Sequence, residues 1–384
     1  MENFRTILIL MVVIWAFGRI FKSLSLPLIF GELIGGIVVG PLIFGLVDPE
    51  NEAVKILSEL GIFFLMLHAG LETDPHQLIK SSKKSIFIAI GGVLLPFIGG
   101  YFTSRVFDRS LEESLFIAMG LSITAIAISA RIFKEYKMQK SNIAHITLGA
   151  AVIDDILALI LFSLVLSIAK TGEINFQILI FMLLKVVIFF GLVIFIGFKT
   201  SRHLPEILRK KGFTFSLIIA LVLGLIAEKI GLHFVIGSFL AGLFIRQEII
   251  DEKIFNKIED RLYGLSYSFL GPIFFASLAF HLDFSSFRNT PWFLVAILIV
   301  AILGKIIGSG GAALLQKINL KDSLIIGNAM NSSGAVEMII AAIGIKEGII
   351  DKDVFSILVI MAFLTTFFSI LFMRYLMKNY QISQ

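Results

Sequence analysis

Apolar residues occur in long blocks along this chain, and the connections between the blocks are short. Thirteen blocks are long enough, or nearly long enough, to cross a membrane, because a spanning helix needs roughly 20 predominantly apolar residues. Of the 384 residues, 57% are hydrophobic and 16% are charged, whereas about a quarter of the residues in soluble domains are charged. The sequence therefore predicts one all-α, multi-pass membrane domain over residues 1–384, without a soluble regulatory domain. The predicted blocks are 4–21, 26–46, 53–71, 84–107, 112–131, 141–169, 176–199, 212–231, 234–246, 258–281, 291–315, 322–344 and 354–377.

Positive charge is distributed unevenly among the connections. Of the 33 lysines and arginines, 22 lie in the odd-numbered connections and the C-terminal tail, and nine lie in the even-numbered connections and the N-terminal segment. Cytoplasmic loops carry the excess of Lys and Arg, so the N-terminus is predicted outside and the C-terminus in the cytoplasm, at the cell (inner or plasma) membrane. This placement explains the net charge of +5, and nucleic-acid binding is not indicated.

Segments in the first half of the chain resemble segments in the second half, at separations of 206 to 211 residues. The similar pairs begin at Gly31 and Gly237, at Ile62 and Ile273, and at Ser114 and Ser323. Seven predicted crossings separate the members of each pair, so the two halves have opposite orientations in the membrane. Two inverted five-helix repeats are therefore predicted, at 26–169 and 234–377, and such repeats are typical of secondary transporters.

Polar residues interrupt the fifth and twelfth blocks, which are partners in this repeat. The fifth block carries Ser122 and Thr124, and the twelfth carries Asn331, Ser332 and Ser333. Interrupted spans at matching positions are the best sequence pointer to a transporter binding site, because non-helical backbone at membrane depth must line protein or a water-filled cavity. The alternative is that the hydroxyls bond back to carbonyls of their own helix.

Charged side chains also lie within the predicted spans. Asp154 and Asp155 are adjacent near the centre of the sixth block, and Lys305 lies near the centre of the eleventh. A charged residue at the bilayer centre costs about 2.5–3.5 kcal/mol on insertion scales, so the two carboxylates indicate a path for a cation or a proton. A buried lysine requires an acidic partner; either aspartate is a candidate, and the pair could be purely structural. Glu32 and Glu337 are further intramembrane acids, either structural or part of an ion pathway.

The remaining chemistry points away from an enzyme. The chain has no cysteine, and its six histidines are scattered rather than grouped with acids at metal-site spacing. No nucleophile–base set or phosphate-binding loop is visible in the sequence, so we predict neither catalysis nor a cofactor. Carboxylate, hydroxyl and carbonyl oxygens suit hard cations such as Na⁺.

The chain resembles the cation:proton antiporter-2 family of Kef-type and NapA-type exchangers over essentially its whole length. The residues that carry the resemblance are Gly31–Pro41, Gly70–Glu72, Ser122–Arg131, Ile153–Ile156, Gly304–Lys305 and Gly334. The resemblance implies a homodimer of thirteen-helix protomers with crossed discontinuous helices in an NhaA-like fold. It also implies that blocks 4–6 and 11–13 form a core that moves against a dimer panel of blocks 1–3 and 8–10, with block 7 as the link.

Residue matching then implies particular roles. Asp155 resembles the ion-binding aspartate and metal (Na⁺) ligand, Asp154 the companion that pairs with Lys305, and Thr124 the threonine of the crossing region. Where many relatives have an arginine before the block-12 glycine, this chain has Ser333. The expected function is secondary exchange of Na⁺ or Li⁺ for H⁺, with cation and proton competing for Asp155 in the lipid bilayer. The alternatives are K⁺/H⁺ exchange, or a non-transporting membrane sensor or ion-channel subunit.

Overall fold

The computed structural model describes all residues except Met1, Ser25, 74–82, 126–128, 130–131, 134–135, 139–140, 172–175, 201–203, 249–251, 284–289 and 383–384. The described residues contain helices, turns and short extended segments, and no strand. The helices are α1 (Glu2–Ser23), α2 (Leu28–Val39), α3 (Glu52–Glu72), α4 (Lys83–Val106), α5 (Leu111–Ser122), α6 (Asn142–Thr171), α7 (Phe176–Thr200), α8 (Leu204–Lys229), α9 (Phe234–Glu248), α10 (Glu252–Leu265), α11 (Gly271–Leu278), α12 (Pro291–Leu315), α13 (Leu320–Ala329), α14 (Ala335–Lys346) and α15 (Lys352–Ile382). A π-helical turn, Ser266–Leu270, joins α10 to α11, and a 3₁₀ turn, Ala279–His281, follows α11.

Eight helical stretches in the described part of the chain are long and apolar enough to cross a membrane, and three shorter apolar helices accompany them. The prediction of an all-helical, multi-pass membrane protein is therefore confirmed. The count of thirteen spans stays a prediction. The difference arises partly because blocks five and twelve are divided: α5, α13 and α14 have only ten to twelve residues each, too few to span alone.

The second block ends earlier than predicted. The sequence predicted a span over 26–46, but α2 is helical only from Leu28 to Val39, and Gly40 is extended at φ −75° and ψ −174°. Pro41 follows Gly40, and a proline disfavours helical geometry in the residue before it. The apolar residues after Gly40 therefore belong to a turn rather than to the helix.

The first of two compact units comprises Met1–His76 and Phe176–His281. In this unit α3 packs against both α9 and α11, and α1 packs against α2. Gly70 and Gly242 lie at the contact of α3 with α9, where a side chain on either residue would overlap the backbone of the other helix. Small residues at such contacts let membrane helices approach closely.

The second unit comprises Gln77–Asn175 and Leu282–Gln384. This unit contains α4–α6 and α12–α15, whereas block 7 (176–199), the link that the resemblance implies, falls in the first unit. Within this second unit α4 packs closely along α12. Gly91 faces Gly308 across that contact, so the two helices meet backbone to backbone.

We predict that the contact between α4 and α12 does not tolerate a methyl group. Gly308→Ala would place a Cβ against the backbone of Gly91, and such overpacking costs about 1–3 kcal/mol. Thermal unfolding of the purified protein in detergent should show a lower midpoint for this variant. Gly311→Ala, on the same helix, is the matched control because a Cβ there meets nothing within 4 Å. Equal midpoints for the two variants would contradict this packing.

Candidate functional site

Two interrupted helical segments of the second unit lie against each other. The first is the end of α5 at Ser122, after which Ile123 is extended at φ −77° and ψ 146°. The second is 330–334, between α13 and α14. The Ala125 N–H donates to the Ser332 carbonyl at 2.7 Å, and the Ser332 hydroxyl donates to the Ala125 carbonyl at 2.6 Å. The extended backbone of one segment therefore satisfies that of the other, which a low-dielectric environment requires.

Two more hydroxyls of the first segment satisfy backbone carbonyls at the end of α13. Thr124 donates to the Met330 carbonyl at 3.0 Å, and Ser129 donates to the Ala329 carbonyl at 2.7 Å. Such carbonyls have no partner within their own helix. Ser122 behaves differently, because its hydroxyl donates back to the Ala118 carbonyl of its own helix at 2.8 Å and also to the Val93 carbonyl of α4 at 3.1 Å. Some of these hydroxyls therefore bond to the other segment and some bond back to their own helix, which are the two alternatives that the sequence left open.

The second interrupted segment is also held by two threonines of α15 that the sequence analysis missed. The Ser333 N–H donates to the Thr366 hydroxyl, which in turn donates to the Ser333 carbonyl, both at 2.9 Å. The hydroxyls of Ser333 and Thr365 lie 3.1 Å apart. A signal was present, since Thr365 and Thr366 are adjacent polar residues in an otherwise apolar block. Asn331 is buried, and its amide nitrogen has no hydrogen-bond partner among the described residues.

A buried ammonium group lies at the end of α5. The Lys305 Nζ, on α12, is 2.6 Å from the Thr124 hydroxyl and 3.4 Å from Asp154 Oδ1, and it also donates to the Ser122 carbonyl. The side chains of Lys305 and Asp154 are 3% and 0% exposed. The three N–H groups of the ammonium therefore have three oxygen acceptors. A cation is also favoured at a helix C-terminus, where the helix dipole is negative.

The two adjacent aspartates of α6 occupy different environments. Asp154 is fully buried beside Lys305, and its Oδ2 has no hydrogen-bond partner within the described part of the chain. Asp155 is partly exposed and interacts electrostatically with Lys305. Successive side chains on a helix diverge by about 100°, so one carboxylate faces the buried ammonium while its neighbour is accessible. Carboxylate oxygens of this kind can bind a hard monovalent cation or a proton.

The structure brings Ser122, Thr124, Asp154 and Lys305 together, and Asp155 adjoins them. Glu337, on α14, is 2% exposed and interacts electrostatically with Lys305. Neither carboxylate oxygen of Glu337 has a hydrogen-bond partner in the described residues. The remaining predicted acid, Glu32, belongs to the first unit. Among the residues described, no group of three His, Cys, Asp or Glu side chains is arranged to hold a metal ion.

Comparison with known proteins decides the family. Residues 7–377 match the family described as "Sodium/hydrogen exchanger, transmembrane". This chain belongs to the sodium/hydrogen exchanger family. The resemblance to cation:proton antiporters that was drawn from the sequence is thereby confirmed, and this exchanger-family protein is a transporter and not an enzyme.

The matches to similar proteins cover nearly the whole chain. The Na⁺/H⁺-K⁺ antiporter GerN of Bacillus cereus is 34% identical over 357 residues, covering 91% of this chain and 89% of GerN. An Na⁺/H⁺ antiporter of Enterococcus hirae is 32% identical over 384 residues, covering 98% and 99%. The structure of the sodium proton antiporter MjNhaP1 from Methanocaldococcus jannaschii matches with a TM-score of 0.77 at 16% identity, covering 97% of this chain and 96% of that one. At that identity the structural match shows a shared fold.

We predict that Lys305 and Asp154 of this exchanger-family protein stabilise each other. Removing one partner of a buried ion pair leaves an uncompensated charge and costs about 3–5 kcal/mol. Lys305→Gln and Asp154→Asn should each lower the unfolding temperature in detergent, and the double variant should recover part of the loss. Lys321→Ala, at an exposed lysine of α13, is the control and should change stability by less than about 0.5 kcal/mol. Strict additivity of the two single changes would argue against the contact.

Proposed function

We propose that this protein is a secondary active antiporter that exchanges Na⁺, or Li⁺, for H⁺ across the cell membrane by alternating access. The observation that carries the proposal is an accessible carboxylate, Asp155, next to the buried pair of Asp154 and Lys305 in a member of the exchanger family. An exchanger needs one site that binds either a cation or a proton and never both. A partly exposed carboxylate beside the buried pair of Asp154 and Lys305 has that property.

The neighbouring groups support different roles for the two aspartates. Asp154 is fully buried and paired with Lys305, whereas Asp155 is partly exposed, so Asp155 is the carboxylate that we assign to the exchanged ion. The unpartnered Oδ2 of Asp154 leaves a second oxygen that could join Asp155 around a cation. Thr124, which accepts from Lys305 and donates to Met330, would link cation binding to the two interrupted segments.

Several observations support the proposed architecture of the transporter. The helix breaks after Ser122 and after Ala329 are 207 residues apart, which matches the 206 to 211 residues between similar sequence segments. This supports two inverted repeats, at 26–169 and 234–377, with crossed discontinuous helices in an NhaA-like fold of thirteen spans. The likeness to MjNhaP1 supports the same fold. The homodimer is proposed from the family resemblance, and the outward N-terminus and cytoplasmic C-terminus from the distribution of positive charge.

Potassium is the second candidate cation. GerN, which is 34% identical to this chain, is named an Na⁺/H⁺-K⁺ antiporter. A carboxylate site selects between monovalent cations by size and by ligand number. The deciding experiment is to compare Na⁺, Li⁺ and K⁺ as drivers of proton movement in vesicles that contain the purified protein and a pH gradient. A sensor or channel subunit would move no protons against a cation gradient.

We predict that Asp155→Asn abolishes Na⁺-driven proton movement while the protein stays folded. The amide has the size of the carboxylate but carries no charge, so it can neither release a proton nor balance a cation. The measurement is dequenching of a pH-sensitive dye in vesicles after addition of Na⁺. Asp260→Asn, at an exposed aspartate of α10, is the matched control and should exchange at the wild-type rate. Normal exchange by a stable Asp155→Asn protein would falsify the assignment.

We also predict that transport is electrogenic. The buried pair of Lys305 and Asp154 provides a second titrating site, so that binding of Na⁺ at Asp155 would release two protons for one cation. Each net charge moved gains about 2.3 kcal/mol per 100 mV of membrane potential. The exchange rate should therefore change when the potential across the vesicle membrane is clamped with K⁺ and valinomycin, and vesicles with Asp155→Asn give the background. A wild-type rate that is indifferent to the clamped potential would rule out the two-proton scheme.

A further inference from the structure

The first unit contains an open cavity of about 700 Å³ that the proposed exchange does not use. Residues of α1, α2, the π-helical turn and α11 line it. Its volume falls in the usual range for small-molecule sites, which is about 300–1,000 Å³. Along α1 the lining extends from Met11 to Ser23, a length of about 18 Å at 1.5 Å per residue. The cavity is therefore elongated along a helix that is long enough to span a membrane.

Charged side chains of both signs line this cavity. Arg19 and Lys22 are exposed in the last turns of α1, and neither has a carboxylate partner among the described residues. Arg19 stacks on Trp15, with its guanidinium carbon 5.4 Å from the ring centroid. Glu32, on α2, is only 6% exposed, yet no hydrogen bond or ion pair reaches its carboxylate from the described part of the chain. Buried carboxylates are normally paired, so Glu32 could accept a positive group from a ligand in this cavity.

The remaining walls indicate an amphipathic ligand. Met11, Ile14 and Pro272 are apolar, and they continue the cavity away from the charged end of α1. Tyr267, which interacts electrostatically with Glu32, is brought to the cavity by the π-helical turn. Single π-turns within helices occur frequently at functional sites. The charged end lies where α1 ends as a candidate span, which is the level of lipid headgroups.

We propose that this cavity binds the headgroup and upper acyl chain of phosphatidylethanolamine. The phosphate contacts Arg19 and Lys22, because basic pockets at the ends of membrane helices bind anionic groups of lipid headgroups. The primary ammonium group donates to Glu32 and to the hydroxyl of Tyr267. The acyl chain lies along Met11 and Ile14.

The charges also discriminate between lipids. An anionic headgroup such as phosphatidylglycerol would bring no positive group to Glu32 and would face its carboxylate. Phosphatidylcholine carries a positive charge, but its quaternary ammonium has no N–H to donate. Free phosphoethanolamine has both charges and lacks the apolar part that the walls bind. We therefore expect the site to select a phospholipid with a primary amine in its headgroup.

The test is thermal unfolding of the delipidated full-length protein in detergent, with dioctanoyl-phosphatidylethanolamine, -phosphatidylcholine, -phosphatidylglycerol or free phosphoethanolamine. Phosphatidylethanolamine should raise the unfolding midpoint most. Glu32→Gln should weaken its apparent binding about tenfold, since a hydrogen bond between charged groups is worth at least that factor, and should remove its advantage over phosphatidylcholine. The double variant Arg19→Gln, Lys22→Gln should weaken the binding of all three lipids.

Controls distinguish this site from general lipid effects. Arg5→Gln, at the opposite end of α1, and Glu52→Gln, in the exposed first turn of α3, should keep the wild-type lipid response. Tyr267→Phe removes only a hydroxyl and should lower the preference for phosphatidylethanolamine even if Glu32→Gln does not fold. The proposal is overturned if phosphatidylglycerol stabilises as well as phosphatidylethanolamine, if no lipid stabilises, if free phosphoethanolamine is sufficient, or if the Glu32 and Tyr267 variants keep the wild-type preference.

Discussion

The ammonium group of Lys305 is the charge around which the second unit is organised. It is almost completely buried, and three oxygens compensate it: a carboxylate oxygen of Asp154, the Thr124 hydroxyl and the Ser122 carbonyl. In a continuous helix the Ser122 carbonyl would accept from the next turn. Because α5 ends at Ser122, that carbonyl is free for the lysine. The helix break and the buried charge therefore require each other.

The cost of breaking two helices at membrane depth is offset by reciprocal hydrogen bonds. The backbone groups of Ala125 and Ser332 bond to each other, and the Ser332 hydroxyl adds a second bond. The α15 threonines do the same for Ser333. Most of the hydroxyls in the interrupted segments thus hold backbone in place, and they leave the carboxylates of α6 as the groups best suited to bind an ion. A rigid frame around a small number of chargeable oxygens is what competition between a cation and a proton demands.

The two units use their charged residues in different ways. In the second unit the deeply buried lysine is compensated by protein oxygens, and the partly exposed Asp155 is the residue proposed to exchange cation and proton. In the first unit Glu32, Arg19 and Lys22 line the same cavity, and none of the three has an ion-pair partner among the described residues. The membrane itself offers zwitterionic molecules that complete such a set of charges. Ion exchange and lipid recognition would then rely on the same rule, that a buried charge must be compensated.

The sequence by itself determined the helical membrane class, the family, the approximate helix ends, the two interruptions and the presence of deep charges, because hydropathy and polar residues within apolar blocks report directly on depth and helicity. It did not determine where α2 ends, and it missed Thr365 and Thr366. Only the tertiary structure decided which hydroxyls bond within their own helix and which bond across to the other segment. The residues alone also left both aspartates as partners for Lys305, and the packing of α6 beside α12 places Asp154 there and leaves Asp155 accessible. The reason is physical: adjacent residues on a helix point about 100° apart, and which of them meets a lysine 151 residues away along the chain depends on helix rotation and packing, which a single sequence does not encode locally.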